Sequence, residues 1–178
     1  MEKIILSIMI FILLFSGCSF SSINSPSNTE DMKKETEQQE IIVNQKYSFG
    51  PAADLSIIDD KTKKELQEVL NKLGDVPKNT ISFNGIEVRA QEDGAIVIDL
   101  FIRNGYSCEI YNIDSKLDII VNEELVASGD FFFSKEEFGV LTSNMSRPWS
   151  IMYYPENIKN KEIKLENYII KSTYQYEF

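Results

Sequence analysis

The spacing of the apolar residues changes at Asn79 and does not change back, which constrains the fold more than any single motif. From that point side chains alternate with a period of two, the signature of strands with one face on a core. Ile81 and Phe83, then Ile86 and Val88, alternate with polar or small residues, and Gly85 between them reads as a β-bulge. Glu92-Asp93-Gly94 is a hairpin turn signal. Ile96, Ile98, Leu100 and Ile102 then share a strand face, while Val97 and Phe101 on the other predict cover on both sides for part of its length. Asn104-Gly105 breaks this strand, and the pair is expected to supply the positive backbone angles of a turn.

Further strands are predicted around Cys108–Ile110, Leu117–Val121, Val126–Phe133, Trp149–Tyr154 and Tyr168–Phe178, with Ser134-Lys135-Glu136-Glu137 as a one-turn capping box between them. About seven or eight short strands separated by turn signals predict a mainly β fold, an immunoglobulin-like antiparallel β-sandwich. No helical period follows Leu73, so a doubly wound α/β fold is excluded.

One helix precedes the strands. Leu66, Val69, Leu70 and Leu73 recur at i, i+3, i+4 and i+7, while Lys63, Lys64, Glu68 and Lys72 occupy the other faces. Ser56 followed by Asp59, and Thr62 followed by Glu65, offer two alternative capping boxes, and Gly74 and Pro77 stop the helix. The predicted span is about 57–73, packed on the end or edge of a sheet and closing a domain over 49–178.

Composition removes several chemistries. The 178 residues include no histidine, so Ser-His-Asp and Cys-His catalysis and imidazole metal ligation are excluded. A net charge of −10 and a pI near 4.6 argue against a nucleic-acid footprint, which needs clustered Lys and Arg. There is no Gly-x-Ser-x-Gly elbow, Ser-x-x-Lys pair, Walker loop, EF-hand spacing or cysteine cluster. The sequence therefore points to no enzyme, no cofactor and no metal. Hydrolysis of a wall glycan by two carboxylates converging in space is a catalytic class that spacing leaves open.

The first residues address the chain to a membrane. Glu2 and Lys3 precede the apolar run Ile4–Phe15, which has the length of a signal-peptide h-region and is short for a bilayer span. Ser16-Gly17-Cys18 follows and resembles the bacterial lipobox, with Phe15 where that pattern usually has leucine. This resemblance implies removal of residues 1–17 and acylation of Cys18, holding the protein on the extracytoplasmic face of the cell membrane. Residues 18–48, poor in aromatics and rich in Ser, Asn, Glu and Gln, read as a disordered tether that keeps the domain on average about 30 Å from the bilayer. Cys108 is then the one thiol of the processed chain; with no cation beside it in sequence, it reads as a small core residue.

Ile81–Val88, Phe101–Gly105, Val126–Phe131, Gly139–Leu141 and Ser146–Trp149 occur in the order and spacing of the SLAP domain, and the chain resembles that family over about residues 56–155. The family occurs in Gram-positive bacilli and is named for an S-layer assembly protein of an accessory secretion system. The namesake holds the domain in duplicate, whereas one copy is recognisable here. The resemblance implies the β fold and a non-enzymatic protein-binding or assembly role, with a secreted, surface-layer or export-machinery protein as partner.

The motif residues have structural readings as well. Arg103 is placed to hydrogen-bond the carbonyls of a neighbouring loop, beside the Asn104-Gly105 turn. Arg147 precedes Pro148, which favours extended backbone and aims Trp149 into a strand, where it is expected to fill the core in line with Ile151 and Tyr153. Phe131-Phe132-Phe133 cannot all face one core, so either the helix covers Phe132 or an apolar patch is exposed. Tyr174 and Tyr176 share a strand face with Tyr168, Ile170 and Phe178; such a row is either a half-buried strand face or a partner surface with Phe132. Two other roles stay open: a cell-wall glycan-binding or glycan-hydrolysing protein, and an envelope lipoprotein that uses the domain as a structural element.

Overall fold

A computed structural model describes residues 46–161 and 165–178 of the protein. The lipid site expected at Cys18, the signal peptide expected over 1–17 and most of the stretch read as a tether lie outside the described residues. Among the described residues seven strands and one helix follow in the order β1 (Lys46–Tyr47), α1 (Asp60–Lys72), β2 (Ile81–Ala90), β3 (Ile96–Asn104), β4 (Tyr111–Val121), β5 (Glu124–Phe133), β6 (Met145–Tyr153) and β7 (Ile169–Glu177). They form a four-stranded sheet of order β1-β6-β3-β2 and a three-stranded sheet of order β5-β4-β7.

The mainly β sandwich expected from the two-residue period is present, with two differences of detail. Every neighbouring pair is antiparallel except β1, which runs parallel to β6 through Lys46–Met145 and Tyr47–Ser146. Lys46 and Tyr47, assigned to the tether on composition, therefore belong to the sheet. The stretches around 108–110 and 117–121 are not two strands either. β4 runs unbroken from Tyr111 to Val121, and Ile110 makes only an isolated bridge to Leu141.

The hairpin between β2 and β3 turns where the Glu-Asp-Gly signal lies. Gly94 adopts φ +84°, the Gln91 amide donates to the Ala95 carbonyl at 2.9 Å, and the Asp93 carboxylate accepts from the Ala95 amide at 3.0 Å. The β2–β3 register slips between Gly85 and Glu87, so the glycine does mark a bulge. A side chain at Gly85 would collide with the Tyr168 ring, which packs over the bulge. Ser134 caps its turn by accepting from the Glu137 amide through Oγ at 3.1 Å.

Both sheets contribute to one core. Ile98, Leu100, Ile102, Ile151 and Tyr153 face Ile113, Leu117, Ile119 and Phe133 across it. The opposite face of β3 is covered too: Val97 and Phe101 are buried, and Phe101 meets the Tyr47 ring at 6.1 Å between centroids. The Tyr47 hydroxyl donates to the Lys63 carbonyl at 3.0 Å, so one tyrosine connects the sheet to the helix.

Helix α1 starts three residues later than predicted because the cap is Asp59 and not Ser56. The Asp59 carboxylate accepts from the Thr62 amide at 2.7 Å, and this bond holds its pKa below the usual carboxylate range. Ser56 is engaged in a separate turn, where Asp54 accepts from both its amide and its hydroxyl. Gly74, at φ +68°, follows the last turn as a left-handed stop. Leu70 is the one fully buried side chain of α1, while Leu66, Val69 and Leu73 are half-buried. With so little of the helix sunk in the core, Leu70→Ala is expected to lower stability by about 2–4 kcal/mol. A urea titration checks the size, and hydrogen exchange should show amides 60–72 losing protection before the strands.

Candidate functional site

The motif residues converge at one end of the β3–β6 pair, where Ile102 lies opposite Arg147 and Arg103 opposite Ser146. Because neighbours along a strand point to opposite faces, the two arginines project to opposite sides of the sheet. Arg103 is buried on the helix side and donates from Nη2 to the Gly74 carbonyl at 2.6 Å. That places a cation at the C-terminal end of α1, where the helix dipole favours one. Burial lowers the Arg103 pKa, opposed by nearby Asp75.

Arg147 reaches into the other side. Its Nε donates to the Ser48 carbonyl at 3.2 Å, and its Nη2 to the Ser48 hydroxyl at 2.9 Å and the Val140 carbonyl at 3.2 Å. Nη1 donates to the Phe138 carbonyl, and the guanidinium stacks over the Phe138 ring at 4.9 Å. Burial lowers its pKa as well. Nothing in the Ser-Arg-Pro-Trp string announced these partners, since Ser48 lies 99 positions away.

Asn104 and Gly105 do not form the turn expected of them. Neither has a positive φ among the described residues; Asn104 is the last residue of β3 and fully buried. Its Nδ2 donates to the carbonyls of Cys108, Leu141 and Thr142 at 2.9, 3.0 and 3.2 Å, and its Oδ1 accepts from the Tyr106 amide at 2.9 Å. The asparagine thus stitches two loops to the strand end. Gly105 is required for space: a Cβ there would lie 1.9 Å from the Pro77 carbonyl oxygen. Cys108 is half-buried against the core.

Pro148 lies opposite Phe101 on the helix side. Trp149 is half-buried at the core margin, edge-on to Phe133 at 6.3 Å and to Phe138 at 5.5 Å. Fully buried Tyr153 fills the place predicted for the tryptophan and donates its hydroxyl to the Leu117 carbonyl at 3.1 Å. A shallow groove of about 310 Å3 runs between α1 and the sheet, with Leu66 and Val69 on one wall and Ile86 and Pro148 on the other. Asp99 at its edge is engaged by Arg89 at 2.8 Å and by the Ser150 hydroxyl.

Among the described residues no helix packs on the outer face of the second sheet. Phe132 is 61% exposed there, which resolves the Phe131–Phe133 alternatives in favour of an open apolar residue. Leu125, Ile120 and Ile169 form a second apolar row at the other end, in register across the three strands. Tyr174 and Tyr176 point the other way, so the structure does not unite them with Phe132 in one surface. The Tyr174 hydroxyl accepts from the Ile81 amide at 2.9 Å and contacts Thr80, bridging the two sheets. Tyr176 stacks on Tyr106 with centroids 4.9 Å apart.

A family model for the SLAP domain matches residues 49–173, beyond both ends of the stretch legible from motifs. The chain belongs to the SLAP-domain family. This is a surface-layer-associated domain, and the match runs from Phe49 through most of β7. No curated protein and no solved structure matches the chain significantly. Among the described residues, no three Cys, Asp or Glu groups are placed to hold a metal ion, and no helix is long and apolar enough to cross a membrane.

Removing the Arg147 guanidinium leaves the Ser48, Phe138 and Val140 carbonyls without their donor. Arg147→Met is expected to cost about 2–4 kcal/mol in a denaturant titration, with Arg147→Lys recovering less than half because one ammonium cannot span the three sites. Alkaline pH tests the tyrosine cluster. Burial, then hydrogen bonds with Tyr174 and Tyr176, push Tyr106 far above its ordinary 10.0; burial first and Asp118 second push Tyr153 up. Below the ordinary value these hydroxyls are neutral in both states. Above it the unfolded chain loses protons that the folded chain retains, so stability falls as pH rises. Denaturant midpoints should decline from about pH 10 upward, less steeply in Tyr106→Phe.

Proposed function

We propose that this protein is a membrane-anchored lipoprotein that presents a SLAP domain outside the cytoplasmic membrane as a non-enzymatic protein-binding or assembly module. The family match over 49–173, behind an apolar run ending in Ser16-Gly17-Cys18, is the observation that carries this reading. The acyl chains on Cys18 fix the protein to the lipid, and the polar residues after it give the domain reach. The partner is a secreted or surface-layer polypeptide, or a component of the export machinery.

The domain supports such a role by what it leaves uncovered. One sheet carries α1, whereas the other presents Phe132 and the Leu125–Ile120–Ile169 row on an open outer face. Scattered apolar residues in a polar sheet face suit contact with another polypeptide better than a deep pocket for a small molecule. The two buried arginines and Asn104 hold the elements behind that face, which fits a rigid platform.

Cys18→Ala is expected to move the protein out of the detergent phase in phase partition; retention equal to wild type counts against acylation at Cys18. Crosslinking in living cells should capture polypeptide partners that disappear in the Cys18→Ala strain. Release of fragments from purified cell wall, abolished by changing one Asp or Glu, would replace this reading with a glycan-active one.

A further inference from the structure

We infer that the free edge of β7 is a pairing site for β7 of a second copy of this chain, joining two three-stranded sheets into one of order β5-β4-β7-β7-β4-β5. This inference is independent of the anchoring reading. The fold leaves few strand edges open. β5 is covered in its middle, where Ser128 donates to the Asn157 carbonyl and the amides of Lys159 and Asn160 donate to Val126. β1 is only two residues long, and β2 is broken by its bulge. β7 runs for nine residues without proline, pairs on one side with β4, and has no strand on its other side among the described residues. Edges of that kind are normally blunted against strand addition.

The side chains on β7 select the occupant. Antiparallel pairing of two identical strands about a two-fold axis places residue i opposite residue 2c − i, where c is the residue on the axis. With the axis at Tyr174, Lys171 of each copy faces Glu177 of the other, both on the exposed outer face. Thr173 then faces Gln175, and on the inner face Ile170 meets Phe178, which is 82% exposed in the single chain. Moving the axis one residue either way separates Lys171 from Glu177. The two charges that would repel a strand of the wrong pattern therefore complement a second copy, at two sites per dimer.

The existing contacts of both residues leave room for this. Lys171 makes no ion pair among the described residues, although it lies opposite Asp118 of β4. Glu177 accepts one hydrogen bond, from Asn112 Nδ2 to Oε2 at 3.1 Å.

Charge exchange tests both the pairing and its register, using the protein as purified from cells, in neutral detergent, and sedimentation equilibrium across a concentration series. Wild type should show a monomer–dimer equilibrium. Glu177→Lys, and separately Lys171→Glu, should weaken the dimer about tenfold by turning two attractions into repulsions. The double exchange Lys171→Glu/Glu177→Lys should recover most of the loss. That recovery separates dimerisation from damage to the fold, because Lys171→Glu also faces Asp118 within its own sheet.

Register is read by coexpressing differently tagged Lys171→Cys and Glu177→Cys chains in a Cys108→Ser background. Directly opposite residues, with Cα atoms about 4.5–5.5 Å apart, should form the mixed disulfide under mild oxidation. Lys171→Cys alone should not link to itself across about 20 Å. A protein monomeric at every concentration, a dimer indifferent to the exchanges, or no mixed disulfide would overturn the inference. Capture of a foreign polypeptide at position 171, or of the chain's own residues 18–45, would overturn it equally.

Discussion

A single guanidinium inside the sandwich decides where three segments of the chain meet. Arg147 sits on β6 and donates to the lead-in at Ser48 and to the carbonyls of Phe138 and Val140 in the loop before its own strand. A buried cation is costly to desolvate and is retained only where acceptors surround it. Those acceptors are backbone carbonyls that would otherwise lack donors inside the fold, so each side of the arrangement satisfies the other. Arg103 repeats the device on the opposite face of the same strand pair, with the end of α1 as its object.

Between the arginines, Asn104 secures the strand end. A carboxylate there could not donate, and an aliphatic residue would leave the Cys108 carbonyl without this donor; an amide supplies donors for Cys108, Leu141 and Thr142, the last two of which also accept backbone amides, together with an acceptor for Tyr106. Polar side chains thus do at this end of the domain what interdigitated aliphatic residues do in its middle. The domain has no disulfide among its described residues, so at this end hydrogen bonds from these three side chains join the segments without a covalent bridge.

Strand positions were legible because alternation of apolar residues is a local signal, and turn chemistry supplied the bulge at Gly85 and the hairpin at Gly94. Motifs around Arg103 and Arg147 identified the family for the same reason. What those residues touch was not legible, since Ser48, Gly74 and Leu141 are distant in sequence and approach only after the sheets assemble. Asn104-Gly105 shows the limit clearly. The pair has the composition of a left-handed turn, yet burial of the asparagine and the approach of Pro77 give each residue a different task. Trp149 likewise sits at the core margin because Tyr153, two alternations on, already fills the interior and satisfies its hydroxyl there.

The two residues of β1 have a mechanical consequence. They run parallel to β6, and Ser48 beside them is held by the Arg147 side chain. Tension arriving along the chain from upstream of Lys46 meets these ladder bonds and the guanidinium contacts at the same place, before it reaches the hairpins of either sheet. A chain pulled along β1 loads the bonds in shear, which must yield together, whereas a pull across it would open them one at a time. Any force on the leading segment would therefore load the β1–β6 pairing before it reached the rest of the sandwich.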